Sequence, residues 1–223
     1  MNIAVIGAGN IGGNIARQLA GSEHALTLSF ARDTAALRAL AEETGAQVAT
    51  AAQAAAAAEV VVISVPWGVL PDALAQTGSL DGRVVIDTTN HFGSGPGPAE
   101  GQRAASFNAD RMPGARYTKA FNTLTAAFQA QAVGRPREQR IVQWLCGDDD
   151  DDEAKQLVAG LIEQAGYVAV DVGGIADCAV MESPRREGAV YGEEWRLPEA
   201  FEVVKAVRAG RPIPPTPSYA QVS

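Results

Sequence analysis

The sequence predicts an α/β fold, a doubly wound and mostly parallel sheet with a small C-terminal cap. Three observations predict it. Short apolar runs alternate with helical patterns from the first residue. Three glycines stand between the first strand and the first helix. Two runs, Glu59–Val65 (EVVVISV) and Arg83–Asp87 (RVVID), have the near-continuous apolar character of central parallel strands covered on both faces.

The elements follow in order. Asn2–Ile6 is a short strand, and the helix after it carries Ile11, Ile15 and Leu19 on one face. His24–Phe30 is the second strand. Asp33 caps a helix bearing Leu37 and Leu40, which Gly45 closes. A brief strand near Gln47–Ala49 precedes the alanine run Ala51–Ala58, read as a helix before the EVVVISV strand. Pro71 starts another helix, and Phe92–Pro98 (FGSGPGP) is a loop by composition. Strands are expected near Arg116–Phe121, Arg140–Cys146 and Tyr167–Val172, with a helix near Glu153–Gln164. A last helix near Pro198–Arg208 leads into a polyproline-like tail, Arg211–Pro217, expected to lie extended on the surface or on a partner. Residues 1–173 form the main domain on this reading. Residues 174–223 are a cap and not an independent domain.

Length and charge bound the function. The 223 residues suffice to bury a core without staples. With 18 Lys+Arg against 26 Asp+Glu, the net charge is -8, which disfavours nucleic acid and anionic membrane surfaces as partners. The stretch Gln47–Leu70 is too interrupted by Gln53, Glu59 and Pro66 for a membrane span. The N-terminus has no basic segment of the secretory kind. Cys146 and Cys178 are far apart, with no C-x-x-C pair, and read as small core residues. That excludes a disulfide framework or a cysteine zinc site and makes a reducing cytoplasm the simplest setting.

Gly7, Gly9 and Gly12 spell G-x-G-x-x-G (GAGNIG) between a strand and a helix at the very start of the chain. This is the place and spacing of a Rossmann dinucleotide-binding turn. Gly7 permits the tight turn, Gly9 the approach of a pyrophosphate, and Gly12 close packing of helix on strand. The helix N-terminus then presents free N–H groups to the phosphates. The second strand decides which dinucleotide. NAD-binding versions carry an acid about 20 residues on. Here Ser29 occupies that place, and Arg32 follows directly. A carboxylate ~4 Å from a 2′-phosphate would cost about 4 kcal/mol per charge pair at an effective dielectric of ~20. That penalty is absent, while Arg32 and Ser29 can donate to the phosphate. NADP(H) is therefore expected over NAD(H).

Taken together, these stretches resemble the NADPH-dependent deazaflavin (coenzyme F420) oxidoreductases and related dinucleotide-binding reductases. The matching residues are GAGNIGG at Gly7–Gly13, SFARD at Ser29–Asp33, VPW at Val65–Trp67, VVIDTTN at Val84–Asn90, KAFNTL at Lys119–Leu124 and CGDDDDDEAK at Cys146–Lys155. The resemblance implies a Rossmann domain with a small cap, commonly dimeric. It implies hydride transfer between NADPH and a flat acceptor, a deazaflavin or a flavin. It assigns the pyrophosphate to Gly7, Gly9, Asn10 and Ile11, and the 2′-phosphate to Ser29 and Arg32. Val65, Pro66 and Trp67 would line the ribose and nicotinamide side, with Asn90 and Asn122 nearer the ring. Asn122 stands where the archaeal deazaflavin enzymes have a histidine.

Hydride transfer between stacked rings is mainly a matter of orientation. The candidates beside it are few. His91 follows the DTTN strand and could donate a proton or stack on a ring. Lys119 could anchor a substrate anion or serve a salt bridge, and Asn122 could face the ring. Tyr191 and Trp195 (YGEEW) could cover the cleft from a cap or a partner subunit. The acids Asp148–Asp152 and Glu153 favour the start of the following helix rather than a metal. The reading is an NADP(H)-dependent oxidoreductase with a small-molecule acceptor. Its alternatives are a reductase of free flavin, quinone or ferric chelate, or an NADP(H)-binding sensor module.

Overall fold

The computed structural model describes residues 1–30, 32–93 and 95–219. Among these residues eight strands form one sheet: β1 (Asn2–Ile6), β2 (Ala25–Ser29), β3 (Gln47–Val48), β4 (Val60–Ile63), β5 (Val84–Asp87), β6 (Arg116–Ala120), β7 (Val142–Gly147) and β8 (Val168–Gly174). Their order is β3-β2-β1-β4-β5-β6-β7-β8. All neighbours pair in parallel except β6 and β7, which run antiparallel. The first six strands thus have the 3-2-1-4-5-6 order of a dinucleotide-binding fold.

Among the described residues eight α-helices accompany the strands: α1 (Asn10–Leu19), α2 (Thr34–Thr44), α3 (Ala51–Ala57), α4 (Leu70–Thr77), α5 (Ala104–Ala109), α6 (Ala126–Ala132), α7 (Asp152–Gln164) and α8 (Glu199–Arg208). The central strands divide their side chains by the two-residue alternation of a pleated strand. Ala4, Ile6, Val61, Ile63 and Val85 join one core with residues of α3, α4, α5 and α8. Ile3, Val5, Val60, Val62, Val84 and Ile86 join the other with α1, α2 and α7. That explains the unbroken apolar runs, since both faces of these strands are covered. Among the described residues no helix is long and apolar enough to cross a membrane.

Caps set several helix ends where the composition placed them. The Asp33 carboxylate accepts from the N–H groups of Ala35 and Ala36 at 2.8 and 3.1 Å, and Gly45 ends α2 at φ 70. Thr50 and Gln53 form a reciprocal capping box at α3. α5 and α6 were not expected from the sequence. Their six and seven residues are too short to show helical periodicity.

The C-terminal segment lies on β7 and β8. Cys178, Met181, Val190, Trp195, Ala200 and Val203 enter the same core as the central strands. Trp195 is buried edge-on against Trp144, with ring centroids 6.0 Å apart. The expectation that Trp195 covers a cleft is therefore corrected: its indole is part of the core beside Trp144. The reading of the cysteines as separate residues is corrected too. Cys146 on β7 and Cys178 just after β8 form a disulfide, with Cα atoms 5.8 Å apart. They are 32 positions apart in sequence, and only the parallel β7–β8 pairing brings them together. Among the described residues, 211–219 form no helix or strand. Tyr219 accepts a hydrogen bond from the Arg196 N–H at 3.0 Å and lies under the Arg196 guanidinium. Ser94, within the glycine-rich loop, and Ala31, within SFARD, lie outside the described residues.

Candidate functional site

The strand order reverses between β1 and β4, and the crevice at their carboxyl ends is where such sheets bind ligands. The glycine turn occupies it. Gly7 has φ 100, in the region that favours glycine, and a Cβ there would overlap the Ser64 carbonyl. A Cβ on Gly12 would overlap the Gly7 carbonyl oxygen, so α1 lies hard against the turn. Gly9 is different: a Cβ there would meet nothing within 4 Å. Two glycines are thus required by the protein's own packing. The third leaves open space above the turn.

Gly9 caps α1 without a side-chain hydrogen bond, and the first turn carries no acid. The N–H groups at this end therefore face outward with their positive dipole unopposed. The Gly7 N–H donates to the Ser29 carbonyl at 2.9 Å, which ties the turn to the end of β2. Ser29 is buried and Arg32, just beyond, is exposed. Asp33 spends its carboxylate on capping α2. These features fit an NADP(H) molecule: glycines at the turn, helix-start amides for the pyrophosphate, and an exposed cation whose neighbouring carboxylate, Asp33, caps α2.

On the other side of the crevice, β4 continues into Val65, Pro66 and Trp67. Val65 is buried and Pro66 exposed. Trp67 is only 3% exposed. Its ring stacks on Phe107 at 5.8 Å and meets His91 at 4.9 Å, and its N–H donates to the Pro96 carbonyl at 2.7 Å. It supports the wall from behind rather than offering a face. His91 is exposed, with its ring against Trp67 and close over Gly97.

Asn90 and Asn122 come together after β5 and β6. The Asn90 amide donates to the Asn122 carbonyl at 2.8 Å. The Asn122 amide donates to Asn90 Oδ1 at 3.2 Å and to the Met181 carbonyl at 2.8 Å. Phe121 holds φ 58 beside it, a strained value for a residue of that size, and the reversal it makes brings Asn122 to this position. Asn122 is 4% exposed and its Oδ1 has no partner.

Beneath the asparagines lies a polar network that the sequence reading missed. Asp87, the last residue of β5, pairs in register with Lys119 on β6. Both are fully buried, and Nζ lies 3.2 Å from Oδ2. The Lys119 ammonium also donates to the Thr89 carbonyl at 2.6 Å. Tyr117 and Asn108 donate to Asp87 Oδ2 at 2.6 and 2.8 Å, and the Thr89 N–H to Oδ1 at 2.8 Å. Burial pushes the Asp87 carboxyl up, but Lys119 and these donors outweigh it and hold it below its ordinary range. Burial and the neighbouring Asp87 push the Tyr117 phenol well up, so it stays a donor. Lys119 is therefore enclosed, with its charge used inside the protein. The signal available was the acid ending one apolar strand beside a lysine on the next.

The acid run divides among structural tasks. Asp148 accepts from the Tyr117 N–H at 3.0 Å. Asp151 caps α7 through Ala154 and pairs with Arg116 at 2.6 Å, and Asp152 pairs with Lys155 at 3.2 Å. A cavity of about 360 Å³ lies elsewhere, between residues 185–189, Glu193 and the tail at 213–216, and neither the glycine turn nor the Asp87–Lys119 network lines it.

Residues 2–91 match the family model described as NADP oxidoreductase, coenzyme F420-dependent. No curated protein matches the sequence. Among solved structures, a hypothetical protein from Sinorhizobium meliloti is 26% identical with a TM-score of 0.76, over 88% of this chain and 95% of that one. A proposed F420-dependent NADP reductase from Arthrobacter sp. FB24 is 27% identical with a TM-score of 0.66, over 80% of this chain and 87% of that one. A reductive aminase from Aspergillus terreus, solved with NADPH and ethyl levulinate, shares the fold at 23% identity and a TM-score of 0.59. The match covers 78% of this chain and 55% of that enzyme. The chain is thus similar to NADP-dependent oxidoreductases, as its motifs imply.

Proposed function

We propose that this chain is an NADP(H)-dependent oxidoreductase of the deazaflavin-reductase type, passing hydride to a flat, flavin-like acceptor at the carboxyl edge of β4, β5 and β6. The observation that carries the reading is the turn at the β1–β4 switch point. Gly7 and Gly12 close it, Gly9 leaves it open, and Arg32 rather than a carboxylate stands beyond β2. Bound there, NADPH supplies a hydride, and the acceptor takes it with one proton from solvent. The protein's part is to bind and orient. Gly9, Asn10 and Ile11 offer backbone N–H groups to the pyrophosphate. Ser29 and Arg32 hold the 2′-phosphate. Val65 and Pro66 border the ribose, with Trp67 behind them. Asn90 and Asn122 fix the edge near the ring, and the Asp87–Lys119 pair fixes the loop that carries Asn90. Lys119 is thus a positioning residue. His91, exposed beside Trp67, is the group that could pass the proton.

The family match and the Arthrobacter relative support the deazaflavin type over other acceptors. A homodimer is the assembly that the resemblance suggests. The test is anaerobic NADPH oxidation, followed at the absorbance of the reduced nicotinamide, with a deazaflavin, a flavin, a quinone and a ferric chelate offered in turn. Turnover with the deazaflavin or the flavin is expected. NADPH binding without turnover on any acceptor would make the chain a sensor module instead.

A further inference from the structure

Phe92 is a large exposed apolar side chain just past the carboxyl end of β5. It is 54% exposed and stands five residues past the end of β5, with its N–H donating to the Asn90 carbonyl at 2.9 Å. Its ring meets that of Tyr191, with centroids 6.2 Å apart and planes tilted by 56°. Tyr191 is only half-buried and is brought there from the C-terminal segment. The Gly192 N–H donates to the Thr123 carbonyl at 2.8 Å, which fixes the segment to the end of the β6 loop. Two aromatic rings from distant parts of the chain thus meet beside Asn90 and Asn122. They lie on the β4–β6 half of the crevice, where the second mononucleotide of a dinucleotide lies in this fold.

Resting on the reductase reading above, we infer that Phe92 and Tyr191 form the stacking platform for the acceptor, a flat and largely uncharged conjugated ring of the flavin or deazaflavin class. Aromatic faces bind conjugated rings by stacking. The neighbouring polar groups are amides and hydroxyls. Asn122 Oδ1 and the Thr123 hydroxyl are both buried and unpartnered, which suits the carbonyl and N–H edge of a heterocycle after a small local adjustment. The cations of the same segment are already engaged. Arg185 pairs with Glu193, and Arg186 donates to the carbonyls of Ala179, Glu182 and Pro184. Lys119 is enclosed with Asp87. A small carboxylic acid would find none of these free to hold it, so a neutral ring is the better match.

The test is equilibrium binding without turnover. Riboflavin and 5-deazariboflavin are titrated against the protein, and quenching of their fluorescence gives Kd. F92A and Y191A are expected to raise Kd about tenfold for at least one ring. F92L, which keeps apolar bulk but loses the flat face, is expected to do the same. F201A, removing an equally exposed phenylalanine on α8, should change nothing. NADPH affinity, measured in parallel, should be unchanged in every variant and reports that each is folded. Wild-type affinity in F92A, or in F92L, would overturn the platform. So would failure of the wild type to bind either ring while it still binds NADPH. Failure of the wild type to bind NADPH would instead overturn the reductase reading itself.

Discussion

Replacing Lys119 by methionine is the perturbation whose outcome follows most directly from the geometry. The ammonium lies 3.2 Å from Asp87 Oδ2, with both side chains fully buried. At an effective dielectric of ~20 the gross attraction is about 5 kcal/mol, opposed by the desolvation of both charges. Removing one partner leaves the other charge buried alone, which costs about 3–5 kcal/mol. For a chain of this length each kcal/mol moves Tm by about 2–4 °C, so K119M should melt roughly 6–20 °C below wild type. The pH dependence gives a sharper signature. In the wild type the Asp87 carboxyl is held below its ordinary range, so its contribution is full above the unfolded carboxylate value. It is lost as pH falls through the lower folded value. In K119M burial loses its main counterweight and the carboxyl moves up. The variant should then lose stability as pH rises from about 4 through the raised value, opposite in sign to the wild-type term. D87N in the same background should recover part of the loss. Urea unfolding across pH 4–8 measures all three proteins. A loss under about 1 kcal/mol in K119M, or a pH profile parallel to wild type, would refute the reasoning.

Other outcomes follow from the same geometry. G9A should fold with wild-type stability, since its Cβ meets no protein atom, yet bind NADPH at least tenfold more weakly by titration. G12A should instead lose stability by about 1–3 kcal/mol, because its methyl enters the Gly7 carbonyl and α1 must move. The Cys146–Cys178 disulfide predicts no alkylation of the denatured, unreduced protein and two labels after reduction, read by mass spectrometry. Two labels before reduction would contradict it.

The sheet was legible because its central strands are buried on both faces and must be apolar throughout. Val60–Ile63 and Val84–Asp87 could hardly be read otherwise. The glycine turn was legible because each glycine has a separate steric cause. What escaped was set by contacts distant in sequence. The antiparallel step from β6 to β7 leaves no mark on either strand's composition. Trp195 and the cysteines find their neighbours only through the β7–β8 pairing and the segment packed over it. Lys119 was singled out, but Asp87, Tyr117, Asn108 and Thr89, which surround its charge, are ordinary residues until the sheet places them together.

The central claim is that this crevice is built for the 2′-phosphorylated dinucleotide. The direct measurement is the ratio of NADH to NADPH dissociation constants, in wild type and R32A, at fixed salt. Wild type should bind NADPH at least tenfold more tightly, and R32A should bring the ratio toward one by weakening NADPH while leaving NADH nearly unchanged. Equal affinities in the wild type, or an unchanged ratio in R32A, would contradict it.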